Sequence, residues 1–263
     1  MKVFKIFLCV LTVVTGGMTV MADSLSIGQR FHFETSYGDE GIKGKDISYG
    51  KQTLLYKEYE NSIKIKLPAP VKTSMLLETA LENRKSDRNF TEREMTIEQL
   101  SRLLLSGDGI THKKGGIDMR SAPSGGALYP VEIYLIVSNV DGLDPGLYHY
   151  LPVDTSLELI KQESFDSLLH IASFEQKAVG SSPISLILTA RFNRSTVKYA
   201  DRGYRYAYME AGAICQNIYL QATALGLGTV AVGAFNDDRI NDLLATDGIN
   251  EAVLLIMPVG YLT

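Results

Sequence analysis

Residues 121–137 read Ser121-Ala122-Pro123-Ser124-Gly125-Gly126-Ala127-Leu128-Tyr129-Pro130-Val131-Glu132-Ile133-Tyr134-Leu135-Ile136-Val137. Two glycines let the backbone approach a flat ligand closely, and two prolines stiffen the turn around them. The next seven residues are apolar or β-branched apart from Glu132, which predicts a strand. Working outward, Gly146-Leu147-Tyr148-His149-Tyr150, Ile184–Ala190 and Ala252–Val259 read as further strands, and Ser62–Leu67 alternates like one until Pro68.

Helices fall between the strands. Ser74 is placed to cap a helix from Met75 to about Asn83. Thr96 and Gln99 form a capping box for a second, Ile97–Ser106, with Gly107 as its stop. The Gly-rich stretch Asp108–Gly126 reads as a loop. A helix is expected near Ser164–Ser173, a long one from about Tyr204 to Leu225, and a short one near Asp238–Leu244. The long helix is apolar or small on nearly every face, so it is expected to be central in the core or buried by a second subunit. Interleaved helices and strands without an internal repeat give one α+β domain over residues 71–263, preceded by an arm over 23–70.

The first residues read differently. Lys2 and Lys5 precede the apolar run Ile6–Val14, and Val20-Met21-Ala22 offers a small-x-Ala cleavage site, so residues 1–22 are expected to be a signal peptide for export to a periplasm or the exterior. An uncleaved N-terminal membrane anchor is the alternative reading. Cleavage takes the net charge from −4 to −6, which argues against nucleic acid as a partner. It also leaves one cysteine, Cys215, in an apolar helical stretch that predicts a buried, inert thiol. The four histidines lack ligand spacing, so no metal site is expected.

Three clusters carry chemistry. Arg84-Lys85-Ser86-Asp87-Arg88 follows a helix and offers cations and a hydroxyl for a phosphate, although a solvated basic helix end would look the same. Ser121–Pro130 is the second. Gly226-Leu227-Gly228-Thr229-Val230-Ala231-Val232-Gly233-Ala234-Phe235 is the third, again small enough to lie against something planar. None is a phosphate loop or a GxGxxG fingerprint, so a nicotinamide-binding Rossmann domain is not indicated.

Taken in order, the three clusters resemble the nitroreductase superfamily, in which Arg-x-Ser-x-Arg, Pro-Ser-x-Gly and Gly-Leu-Gly-Thr segments surround FMN. More narrowly the chain looks like the SagB-type dehydrogenases, related to enzymes that oxidise azolines in peptides. That likeness rests on Ser124–Pro130, Gly146–Tyr150, Lys198-Tyr199 with Arg202–Tyr206, and Glu210-Ala211-Gly212 with Gln216-Asn217, and runs from about Leu67 to Tyr261.

The resemblance implies a nitroreductase-like fold, with a central mixed or antiparallel sheet flanked by helices and FMN at a homodimer interface. It implies that Arg84 and Ser86 serve the phosphate and ribityl side and that Arg88 serves the pyrimidine edge. There a cation about 4 Å from a reduced flavin anion is worth roughly 4 kcal/mol at an effective dielectric of 20. Pro123, Ser124 and Gly125 match a segment that reaches FMN from the other subunit, and Val232, Gly233 and Ala234 match the segment against the ring. Lys198 and Tyr199 match the pair assigned to proton transfer. The basic C-terminal segment that some members lay on the phosphate has no counterpart before Thr263, and Arg202 or Arg205 is the expected substitute. The implied activity is an FMN-dependent oxidation or reduction of a small molecule or peptide. An NAD(P)H-fed nitro or quinone reductase and a non-catalytic flavin-binding protein are the alternatives.

Overall fold

The computed structural model describes residues 25–38, 54–91 and 93–263, so the signal peptide expected over 1–22 lies outside the described residues. Among these residues no helix is long and apolar enough to cross a membrane. Residues 25–38 carry one short helix, α1 (Ile27–Glu34), started by a capping box between Ser26 and Gln29.

The rest, within a compact unit spanning Ile47–Thr263, is built on a seven-stranded sheet. Its strands are β1 (Ile63–Lys66), β4 (Val131–Val137), β5 (Gly146–Leu151), β6 (Ser156–Lys161), β7 (Ile184–Arg191), β8 (Gly228–Thr229) and β9 (Glu251–Gly260). They lie in the order β1-β6-β5-β4-β7-β9-β8, with every neighbour antiparallel. The central strands are buried on both faces, which is why they read as continuous apolar runs. Along β4, Ile133, Leu135 and Val137 point into one core and Tyr134 and Ile136 into another, as the two-residue period of a strand requires.

Helices α3 (Ile97–Asp108) and α7 (Arg202–Ala224) cover the first face through Leu100, Leu103, Leu104, Ile214, Ile218 and Ala222. The second face is covered by α4 (Asp166–Ala172), α5 (Lys177–Gly180) and α8 (Asp237–Leu244) through Leu169, Val179, Ile240 and Leu244. Two shorter helices, α2 (Leu77–Asn83) and α6 (Asn193–Tyr199), stand at the ends of α7. The sheet edges are short or carry lysines, Lys64 and Lys66 on β1, which discourages pairing with another chain.

Several expectations need correction. Helix α2 starts at Leu77, two residues late, and Ser74 does not cap it. The Thr96–Gln99 capping box forms, but α3 runs past Gly107 and closes on Gly109. Gly107 is a packing residue instead, since a Cβ there would come 3.2 Å from Ile218. The stretch read as a loop contains a hairpin of β2 (Ile110–Lys114) and β3 (Ile117–Arg120). Gly115 and Gly116, both with positive φ, make its two-residue turn. The long helix is not buried all round in the chain: Tyr208 and Met209 are 51% and 69% exposed, and Gly212 and Gln216 continue the same open stripe.

Candidate active site

One half of the site forms where α2 ends. Arg84 follows its last turn and stacks 5.1 Å from the ring of Tyr219, a residue of α7. The Tyr219 hydroxyl lies 3.0 Å from Ser86 Oγ and accepts the Ala231 N–H at 2.7 Å. The Asp87 N–H donates to the Thr229 carbonyl at 2.9 Å, so the first and third sequence clusters are sewn together. Gly228 is needed there, because a Cβ would sit 2.9 Å from the Asp87 side chain. Ser86 and Arg88 remain exposed.

Val232 gives its side chain to the core and both peptide groups to Ile256. The free surface of this segment is therefore Gly233 and Ala234, and among the described residues nothing lies within 4 Å of a Cβ built on Gly233. A flat group can lie against that backbone. These features fit a phosphate-bearing planar cofactor: cations and a hydroxyl on one side, and bare backbone on the other.

The second half forms at the start of α7. Lys198 and Tyr199 occupy the last turn of α6, where successive side chains lie about 100° apart around the axis. Both reach the second cluster. Gly126 has a φ of 68°, and a Cβ on it would lie 2.7 Å from Tyr199 Oη and 2.8 Å from Lys198 Nζ. Only glycine leaves room for the phenol and the ammonium to share that spot. Tyr206 packs beside them, its ring 3.3 Å from the Cβ position of Gly125 and edge-on to Tyr199 at 4.8 Å between centroids. Ser124 Oγ accepts the Tyr129 N–H at 2.9 Å, closing the turn, while Pro123 and Gly125 face outward.

Behind this half lies a buried polar cluster whose members sequence reasoning did not bring together. Burial, with Asp108 next, raises the Glu210 carboxyl to about 8, and its Oε1 accepts the Val131 N–H at 3.4 Å. Burial also raises Asp108 to about 6, against the opposing pull of Arg120. Glu132 pays the same desolvation, yet Arg194 and His149 hold it down at about 2. Glu132 drew no notice inside a run read as a strand, and Arg194 none in the polar stretch that follows β7. Tyr219 was unmarked because an aromatic residue in a helix reads as packing. The Cys215 thiol is pushed up to about 11 by burial, in keeping with an inert residue.

Within one chain the two halves do not meet. Tyr206 and Tyr219 stand thirteen residues apart on α7, about 20 Å at 1.5 Å per residue. Each end of the helix carries one of the two candidate clusters.

The sequence pattern of the nitroreductase family matches residues 81–261. The Methanocaldococcus jannaschii protein MJ1384, named for the same family, is 42% identical over 184 residues, covering 70% of this chain and 90% of its own length. The microcin B17-processing protein McbC of Escherichia coli is 29% identical over 178 residues, 65% of either chain. Among solved structures, the E. coli microcin synthetase McbBCD complex with truncated pro-MccB17 superposes with a TM-score of 0.59 at 25% identity, covering 89% of this chain and 86% of that one. The antiparallel sheet between two helical layers, the sewn-together first and third clusters and these matches agree, and the chain belongs to the nitroreductase family.

Proposed function

We propose that this protein is an FMN-dependent oxidoreductase of the SagB-type dehydrogenase kind, moving a hydride between flavin and a small-molecule or peptide substrate, and that it works as a homodimer. The observation that carries the reading is the placement of the two half-sites at opposite ends of α7. A two-fold axis across the exposed stripe of Tyr208, Met209, Gly212 and Gln216 pairs two such helices antiparallel. Pro123, Ser124 and Gly125 of one subunit then come beside Arg84, Ser86 and Arg88 of the other.

FMN supplies the hydride acceptor or donor, and the chain supplies the rest. Arg84 and Ser86 hold the phosphate and ribityl side, and Arg88 sets a cation near the pyrimidine edge. Gly233 and Ala234 offer the backbone against which the ring rests. Tyr199 gives or takes the substrate proton at its Oη, and the Lys198 ammonium beside it offsets the charge that the phenol gains or loses. Kinship with McbC favours a peptide or a heterocycle-bearing substrate. Export with cleavage after Ala22 belongs to the same proposal. Denaturing the purified protein and analysing what it releases tests it: FMN is expected, and a colourless protein that also takes up no added FMN would refute it.

A further inference from the structure

Helix α6 is only seven residues long, too short to hold an orientation of its own. Its direction decides where Lys198 and Tyr199 point, so something outside the helix must fix it. Arg194, one turn before Lys198, is 1% exposed, an uncommon state for an arginine. Its Nε donates to the Leu54 carbonyl at 3.0 Å, one terminal nitrogen to the Tyr129 carbonyl at 2.8 Å, and the other to Glu132 Oε1 at 2.5 Å. Three segments are thereby pinned by one rigid guanidinium.

Two of those segments matter for the site. Tyr129 closes the turn that contains Gly126, and it does so at a φ of 45°, a left-handed conformation that costs a bulky residue energy and persists only when its surroundings impose it. Ser124 Oγ holds its N–H, Arg194 holds its carbonyl, and the Arg120 N–H donates to its hydroxyl at 3.2 Å. Glu132 is fixed in turn. Its Oε2 meets His149 Nε2 at 3.1 Å, and His149 Nδ1 meets Glu158 Oε2 at 2.9 Å. With a carboxylate on each nitrogen the imidazole carries both protons, so the buried chain alternates in sign from Arg194 to Glu158.

We infer that Arg194 is a positioning residue, whose guanidinium clamps α6 and the Ser121–Pro130 turn together so that Lys198 and Tyr199 converge on Gly126. A lysine could supply the charge but not the planar fork that reaches three acceptors at once. The inference rests on the proposed role of Lys198 and Tyr199, but the clamp can be tested without flavin or substrate.

3-Fluorotyrosine is placed at position 199 of the full chain and its fluorine resonance recorded with and without Lys198→Met. In the parent the substitution displaces the resonance, because the ammonium lies 5.3 Å from the centroid of the Tyr199 ring. In the double variant Arg194→Met, Glu132→Gln, which removes the ion pair without stranding a charge, that displacement is expected to fall by more than half while circular dichroism still reports a folded chain. Arg194→Lys keeps a cation against Glu132, preserves the fold if the double variant does not, and is expected to lose displacement in the same direction. An undiminished displacement in either folded variant overturns the clamp, since an ion pair that only stabilises the fold would lower the melting temperature and leave the contact intact. A protein that fails to bind FMN would refute the proposed function and leave this measurement unaffected.

Discussion

Ser86 Oγ and Tyr219 Oη lie 3.0 Å apart, and this contact, with Arg84 stacked on the same ring, joins the loop after α2 to the long helix α7. The same hydroxyl accepts the Ala231 N–H, so Tyr219 sets the spacing between the cationic cluster and the glycine-rich segment. Tyr219→Phe keeps the ring under Arg84 but strands that N–H. A loss of about 1 kcal/mol in stability is expected from the part-buried hydrogen bond that is lost, with weaker FMN uptake. Denaturant melts and a fluorescence titration with FMN check both. Unchanged FMN affinity would separate Tyr219 from the site.

Gly126→Ala places a methyl group 2.7 Å from Tyr199 Oη and 2.8 Å from Lys198 Nζ at a φ that L-residues avoid. The left-handed backbone alone costs about 1–2 kcal/mol. Turnover is expected to drop further than stability, because the reactive pair must move aside. Steady-state kinetics beside a thermal melt would show it, and an alanine variant with parental turnover would remove Gly126 from the site.

Tyr199→Phe and Lys198→Ala separate proton transfer from binding. The flavin spectrum is expected to stay nearly unchanged while turnover falls by roughly 10²–10⁴-fold, as when a general acid or base is lost. Parental rates in both variants would send the search for the catalytic group elsewhere.

The central strands, the long helix and the three clusters were legible in the sequence because apolar periodicity and small-residue segments are local signals. What escaped depends on tertiary partners. Strand β6 carries Glu158, polar by composition yet buried because His149 meets it across the ladder. Ser74 offers a cap that α2 ignores, and Gly107 looks like a stop but serves the approach of Ile218. The convergence of Lys198 and Tyr199 on Gly126 joins residues some seventy positions apart, which no window of sequence displays.

Glu210 gives a signed pH dependence. Its value in the fold is raised to about 8, chiefly by burial, so the folded chain binds more protons than the unfolded one between the ordinary carboxylate range and that pH. This contribution to stability is full below the unfolded value near 4.5 and is lost as pH rises through about 8. His149, also raised, acts in the same direction. Glu210→Gln should therefore flatten the decline, and the difference between parent and variant should widen from pH 5 to pH 8 in urea melts. A difference that stays constant with pH would mean that Glu210 is ionised in the fold.

The central claim is that each flavin site is completed by two subunits across the open stripe of α7. A Cβ at Gly212 has no described residue within 4 Å, so Gly212→Arg is expected to leave the subunit folded while placing a charge on that stripe. Light scattering with in-line flavin absorbance is the deciding measurement. The parent is expected to run as a dimer carrying one FMN per chain, and the variant as a folded monomer without flavin. A monomeric variant that remains saturated with FMN would contradict the account.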